Sequence, residues 1–368
     1  MSADAAAAVL DAAALDALHA ICDLAPPPVL DDLTTARARS VLADVDLLVT
    51  GWGCPPLDAA ALAAAPRLRA VVRTAGSVRG HVTEACRERG IEVSSAAAAN
   101  AVPVAEYTLG MILFTGKQVR ERAREFRDRR THGDWPRTPV RSGSYGRTVG
   151  IVSASLVGRR VIELLRPHDF EVLLHDPCID ATEAAELGVE ALGLAELFAR
   201  CDTVSLHTPL LPATRGLIGR TRLDSMPAGA VLINTSRGAG ADQTALTEAV
   251  LAGRIRAVVD ITEPEVLPVE HPLWDCEHVL LTLHLVGSAP GGRSPCRLPR
   301  HAYRLGHRTR AGRGLGAART ARAGPLGPLP RHGPRSPGPR APPAPGGPGC
   351  RAPREGRRAR VCTSVSPR

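Results

Sequence analysis

The chain has 368 residues, enough for two domains, and its 44% hydrophobic content can build real cores. Its net charge of +9 averages two unlike pieces: the stretch after Ser288 holds 18 Arg, no Lys and one acid, leaving 28 bases against 36 acids before it. Nine cysteines without a C-x-x-C pair or a His at ligand spacing argue against zinc or a disulfide framework and for a reducing, cytoplasmic setting. The first residues, Met1-Ser-Ala-Asp and then alanines, lack the basic segment of a signal peptide, and no apolar run is expected to approach the ~20 residues of a membrane span.

In chain order, the Ala/Leu-rich stretch 5–20 predicts an amphipathic helix. Short apolar runs predict strands over 45–49, 69–73 and 91–94, with helices over 57–65 and 81–89 between them. That alternation signals a parallel α/β sheet. A single long helix is predicted from Pro103 to Arg130, buried at its first end and solvated along its charged second half. A second series follows: strands over 148–152, 171–175, 203–206, 230–233, 256–260 and 279–282, with helices over 156–166, 194–199 and 242–252. This is the doubly wound pattern, which binds ligands at the carboxyl ends of its strands. From 289 to 368 the chain holds 15 of the 32 prolines and no helical or strand periodicity, so disorder is expected there.

The turn after the 148–152 strand reads Gly150-Ile-Val-Ser-Ala-Ser-Leu-Val-Gly158. A dinucleotide fingerprint, G-x-G-x-x-G, would place glycine at 153, 155 and 158; here Ser153 and Ser155 stand at the first two, and only Gly158 remains. Asp176 ends the next strand, where a carboxylate accepts both ribose hydroxyls of NAD and repels the 2′-phosphate of NADP. Taken alone, the same features describe an ordinary strand–turn–helix unit with a capping Asp. Arg237 follows a strand end and can grip a carboxylate bidentately, although by itself it reads equally as a loop arginine. Glu265 lies in a Pro-containing loop and His284 just beyond the last strand; together they offer a His–carboxylate pair able to move a proton near neutral pH.

The segments Arg73-Thr-Ala-Gly-Ser, Asn100-Ala-Val-Pro-Val-Ala-Glu106, Ser205-Leu-His-Thr-Pro209, Asn234-Thr-Ser-Arg-Gly238, Asp260 to Glu265, and His271-Pro-Leu-Trp274 leading to His284 occur in one order. From about Ala70 to Ser288 the chain resembles the D-isomer-specific 2-hydroxyacid dehydrogenases. The resemblance implies an α/β protein with a Rossmann-type doubly wound NAD-binding domain over 101–288 and a smaller flavodoxin-like substrate domain begun by 1–100, with 289–368 as a disordered basic tail. It also implies an NAD-dependent oxidoreductase that interconverts a D-2-hydroxy acid and a 2-oxo acid. Its catalytic Arg, Glu and His fall on Arg237, Glu265 and His284, and the main chain of Ala75, Gly76 and Ser77, with Arg237, would bind the substrate carboxylate. The cofactor would meet Ser153, Ser155, Leu156, Val157, Gly158, Asp176, His207, Thr208, Pro209, Thr214, Thr235, Ser236, Arg237 and Asp260. Relatives acting on formate carry Gln in place of Glu265, so Glu265 speaks against that activity. A homodimer through the NAD domain is implied as well, and neither membrane nor metal is expected.

Four departures qualify the resemblance. Ser153 replaces a turn glycine, Leu283 stands where the family usually has proline, the opening strand of the substrate domain is not expected in this N-terminus, which a late start codon would explain, and the tail replaces a returning helix. Arg, Pro, Gly and Ala are products of GC-rich codons, so a shifted reading frame near 285–290 would give this tail; the rival is a genuine basic tail for nucleic acid, which the lack of stacking aromatics disfavours. Two further readings stay open, an NAD-binding protein with impaired catalysis, like the corepressors among these relatives, and an inactive product.

Overall fold

The computed structural model describes residues 6–7, 9–30, 32–131, 142–287 and 360–364. Two parallel sheets organise them. The first has strands β1 (Asp23–Leu30), β2 (Leu47–Thr50), β3 (Ala70–Arg73), β4 (Glu92–Ser95) and β12 (Arg360–Ser364), in the order β1-β12-β2-β3-β4. Helices α1 (Ala12–His19), α2 (Ala36–Leu42), α3 (Ala59–Ala64) and α4 (Glu84–Glu88) accompany them, three capped by Asp11, Thr35 and Asp58 side chains that accept an amide of the first turn. Strand alternation divides the burial: Leu48 and Val71 pack with Leu42, Leu62 and Cys86 on one face, while Val49 and Val72 pack with Leu10 and Leu18 on the other.

The second sheet has seven strands: β5 (Arg147–Val152), β6 (Phe170–His175), β7 (Glu190–Ala191), β8 (Thr203–Leu206), β9 (Val231–Asn234), β10 (Arg256–Val259) and β11 (Val279–Leu281). Their order, β11-β10-β9-β8-β5-β6-β7, is that of a Rossmann sheet extended by one strand. Every residue of β8 and β9 is buried, as parallel strands covered on both faces require. One face carries Val152, Leu206 and Leu232 against α9 (Leu194–Arg200), α10 (Arg220–Ser225) and α11 (Gln243–Leu251). The other carries Val149, Ile151 and Ile233 against α5 (Ala97–Gly116) and α7 (Leu156–Leu165). A short helix α8 (Ala181–Leu187) leads into β7.

Three expectations are corrected. The single helix expected from Pro103 to Arg130 is two, α5 and α6 (Val119–Arg129), because Gln118 turns left-handed at φ 53° between them. Helix α5 is long and apolar enough to pass for a membrane span by length and composition, yet its Ala101, Val104, Ala105, Thr108 and Ile112 are buried. Residues 360–364, placed in an unstructured tail by composition, form β12, paired in parallel with β1 and β2. Residues 288–359, and with them the rest of the tail and the place of the expected returning helix, lie outside the described residues.

The place of β12 has a topological meaning. In a flavodoxin-like sheet of order 2-1-3-4-5, the strand between the outermost and the third belongs to the start of the chain. Here the first described strand, β1, takes the outer position, and the inner one is filled from the far end of the chain. Strand β1 escaped sequence reading because of Pro26-Pro27-Pro28, which offers no N–H; the edge tolerates this, and the β1–β12 register shifts between Leu24 and Val29.

Because β12 pairs with both neighbours, a chain ended at Glu355 is expected to exchange the amides of β1 and β2 far faster, while those of β8 and β9 keep their protection. Hydrogen exchange read by mass spectrometry checks this, and equal protection of β1 and β2 in the two chains would contradict it.

Candidate active site

Strands β5 and β8 are neighbours, and the chain proceeds from them to opposite edges of the sheet, leaving a crevice beyond their carboxyl ends. Ser153 follows β5 at φ 83°, a left-handed conformation that costs a non-glycine residue about 1–3 kcal/mol. Its amide donates to the His175 carbonyl at 2.8 Å, tying the turn to the end of β6. A Cβ on Gly158 would lie 2.0 Å from the Ser153 carbonyl oxygen, so only glycine lets α7 approach the turn this closely. Ser155 caps α7, its hydroxyl accepting the Gly158 N–H at 3.3 Å. Asp176 turns back to the same turn: one carboxylate oxygen accepts the Ala154 N–H at 2.8 Å and the Ser153 hydroxyl at 3.1 Å, the other the Cys178 N–H at 2.8 Å. Leu156 is exposed on the first turn of α7 and Val157 packs inward. A helix N-terminus, a glycine at the closest approach and a carboxylate at the next strand end fit a dinucleotide.

His207, Thr208 and Pro209 leave β8 at the crevice. His207 is buried, its Nε2 lying 3.0 Å from the Ser205 hydroxyl, and burial pushes its pKa down to about 3. The Thr214 hydroxyl closes the following loop, donating to the Pro209 carbonyl at 2.6 Å and accepting the Leu211 N–H at 2.8 Å. Thr235 is buried, with its hydroxyl 3.4 Å from that of Thr108 on α5.

Arg237, Glu265 and His284 follow β9, β10 and β11, three adjacent strands, which is why residues so far apart in sequence share one end of the sheet. The Asn234 side chain braces the first loop, accepting from the Ser236 N–H and hydroxyl at 3.1 and 3.0 Å and donating to the Arg237 carbonyl at 3.1 Å. A Cβ on Gly238 would lie 2.1 Å from the Thr262 carbonyl oxygen, so the Arg237 and Glu265 loops meet backbone to backbone. The Thr262 hydroxyl then donates to the Pro264 and Glu265 carbonyls at 2.7 and 2.9 Å. Burial lowers the pKa of Arg237, the Glu265 carboxylate opposes that, and the Arg79 guanidinium adds to it. Glu265 Oε1 lies 2.6 Å from His284 Nδ1.

His284 itself adopts φ 42°, and its neighbour Leu283 is three-quarters exposed (76%). Asp260, buried at the end of β10, holds this loop. Its carbonyl accepts the His284 N–H at 2.9 Å, and its carboxylate accepts the Thr282 hydroxyl at 2.6 Å and the Leu285 and Val286 amides at 3.0 and 3.4 Å. The hydroxyl of Tyr107 on α5 stands 3.2 Å from that of Thr282. Burial raises the Tyr107 pKa, the bond to Thr282 opposes this and the Asp260 charge adds to it. Expected among the cofactor residues, Asp260 directs its carboxylate to the His284 loop.

Across the cleft, Ala75, Gly76 and Ser77 follow β3. Arg73 fastens them, donating to the Ser77 carbonyl at 2.5 Å and to the Gly51 carbonyl at 3.0 Å. Arg79 reaches the loop after β8, donating to the Leu210 carbonyl at 2.5 Å. The Asn100 side chain lies against both Gly76 and Gly287, so the loop after β3 and the His284 loop share one neighbour. Sequence reasoning missed Arg79, Asn100 and the bracing role of Asn234. Only Asn234, an Asx-turn residue two positions before Ser236, carried a local signal. A separate cavity of 260 Å³ lies at the opposite, amino ends of the strands, beside Arg147, Asp202 and Arg256, whose charges already pair internally: Arg147 with Asp202 and Arg256 with Glu121.

Gly238→Ala is expected to cost about 1–3 kcal/mol of stability, through a Cβ forced against the 262–263 peptide, and to part the two loops; thermal unfolding measures it, and an unchanged midpoint would contradict the close contact. His207 and His81 give a second expectation. Burial pushes His207 to about 3, and burial with the nearby Arg73 charge pushes His81 to about 4, both from 6.5. The unfolded chain therefore binds protons that the folded chain refuses, and stability is lost progressively as pH falls below 6.5. Thermal midpoints measured from about pH 7 down to about pH 4 should decline in the native chain and less steeply in His207→Gln.

Comparison with known proteins agrees with this geometry. Residues 109–286 match the family model "D-isomer specific 2-hydroxyacid dehydrogenase, NAD binding domain". A glyoxylate reductase from Korarchaeum cryptofilum is 32% identical over 274 residues, covering 74% of this chain and 80% of that protein. A D-3-phosphoglycerate dehydrogenase from Mycobacterium bovis is 33% identical over 237 residues, 63% of this chain; the match spans only 43% of that longer protein. A solved structure from Thermus thermophilus superposes with a TM-score of 0.58 at 32% identity, covering 72% of this chain and 84% of the other. A phosphoglycerate oxidoreductase from Rhizobium etli, at 23% identity and a TM-score of 0.66, covers 82% of this chain and 94% of that one and shares the fold. A chain with this sheet order, this match and a 32% identical relative matched over four-fifths of that relative's length belongs to the D-isomer-specific 2-hydroxyacid dehydrogenase family, and 109–286 are its NAD-binding domain.

Proposed function

We propose that this chain interconverts a D-2-hydroxy acid and the corresponding 2-oxo acid with NAD as its hydride partner. The observation that carries the reading is the His284–Glu265 contact of 2.6 Å beside the half-buried Arg237, at the carboxyl ends of three adjacent strands of an NAD-binding domain. When bound, NAD would supply the hydride chemistry. Asp176, Gly158 and the N-terminus of α7 would hold its adenosine and pyrophosphate.

Arg237 grips the carboxylate and the 2-oxo oxygen of the substrate, with the Ala75–Ser77 main chain meeting the same carboxylate. Arg79, close enough to lower the Arg237 pKa, adds positive charge to that end of the cleft and favours an anionic substrate. Glu265 engages His284 at Nδ1 and leaves Nε2 to face the reacting oxygen. In the reducing direction His284 delivers a proton from Nε2 to the oxygen as carbon receives the hydride; in the oxidising direction it takes that proton back. Family membership favours a homodimer through the NAD domain, which light scattering of the purified chain would test.

Steady-state oxidation of NADH with glyoxylate, hydroxypyruvate and pyruvate tests the activity. His284→Asn is expected to lower kcat by about 10²–10⁴-fold with little change in NADH binding. Glu265→Gln should lower kcat by a smaller factor, and Arg237→Lys should raise KM for the oxo acid as well as lower kcat, since an ammonium cannot reproduce the bidentate grip. NADH bound without turnover of any 2-oxo acid would overturn the enzymatic reading and favour an NAD-binding protein without catalysis.

A further inference from the structure

We propose that the Ser153 hydroxyl is an internal competitor for the adenosine ribose, occupying in the free chain an oxygen of Asp176 that the ribose must take and thereby setting the affinity for the dinucleotide. The inference rests on the NAD-binding reading of this crevice and concerns a residue that departs from the glycine expected at that position.

A carboxylate that chelates the two ribose hydroxyls must offer an oxygen to each. Here Oδ1 of Asp176 already accepts the Cys178 N–H at 2.8 Å, and Oδ2 accepts both the Ala154 N–H at 2.8 Å and the Ser153 hydroxyl at 3.1 Å. The two amides come from main chain and stay in place with the turn. The hydroxyl differs, because it is a third donor that glycine at 153 would not supply, and it converges on an oxygen that already has one partner.

The turn cannot relieve this by moving its backbone. The Ser153 amide is bonded to the His175 carbonyl, and its carbonyl oxygen lies where a Cβ on Gly158 would come within 2.0 Å, so α7 closes the turn from the other side. Ser153 keeps φ 83° and can respond only by rotating its side chain. Ribose binding therefore exchanges one hydroxyl on Oδ2 for another, so that part of the ribose contact goes into replacing a bond the free chain already has.

Isothermal titration of the full chain with NAD+ and with ADP-ribose, for the native chain, Ser153→Ala and Ser153→Gly, tests this. Alanine keeps the Cβ and the left-handed backbone and removes only the hydroxyl, so it isolates the competition; glycine also removes the strain. Both variants are expected to bind NAD+ and ADP-ribose about threefold to tenfold more tightly than the native chain, and the glycine variant alone should also unfold at higher temperature. Unchanged or weaker NAD+ binding by Ser153→Ala, with the native chain binding normally, overturns the competition and leaves the NAD reading standing. Tightening for NAD+ but not for ADP-ribose also overturns it, by moving the effect away from the adenosine end. No binding by any of the three folded chains removes the NAD reading itself, and the competition with it.

Discussion

The buried carboxylate of Asp260 is the constraint on which the site depends. A charge taken from water at the end of an inner strand is tolerable only if donors replace its hydration. Asp260 finds them in the Thr282 hydroxyl and the Leu285 and Val286 amides, all belonging to the segment that carries His284. Satisfying one buried group thus fixes the path of the loop on both sides of the histidine. It also explains how His284 keeps a left-handed backbone with an exposed leucine, and no proline, before it. The strain is local; the hydrogen bonds that over-determine it come from the strand.

The same logic of anchored loops recurs across the cleft. Gly238 lets the Arg237 loop lie directly on the 262–263 peptide, and Asn234 and Thr262 bond their own loops from within. Arg73 ties the loop after β3 to the loop after β2, and Arg79 crosses to the loop after β8. The chemistry-bearing side chains are partly exposed, while the groups that aim them are buried or hydrogen-bonded to main chain. That division suits a site that must admit a substrate yet hold a histidine, a glutamate and an arginine within reach of one small molecule.

Where this chain departs from the pattern expected of the family, the fold absorbs the change by substitution of parts. Ser153 accepts the turn conformation suited to glycine and finds a partner in Asp176. The slot between β1 and β2 is filled by Arg360–Ser364, which pairs with β2 along its length and with β1 on either side of the proline run. The proline run of β1 sits at the outer edge of that sheet, where missing amides cost least.

Much of the molecule was legible in the amino-acid sequence. Short runs marked β2 to β6 and β8 to β11 to within a residue or two, the inner ones such as β8 and β9 because a parallel strand covered on both faces must be apolar; the order of Asn234 to Gly238, Asp260 to Glu265 and His284 pointed to the chemistry. The break at Gln118 was hidden, because a single left-handed residue leaves no periodic trace. So were β1 and β12, whose strand character comes from neighbours they pair with and not from their own composition. Tertiary structure alone decided that Asp260 serves the histidine loop, that Asn100 lies between Gly76 and Gly287, and that Arg79 stands near Arg237. Local sequence sets which segments can be strands and which side chains could react; contacts between residues tens or hundreds of positions apart exist only once adjacent strands have brought their carboxyl ends together.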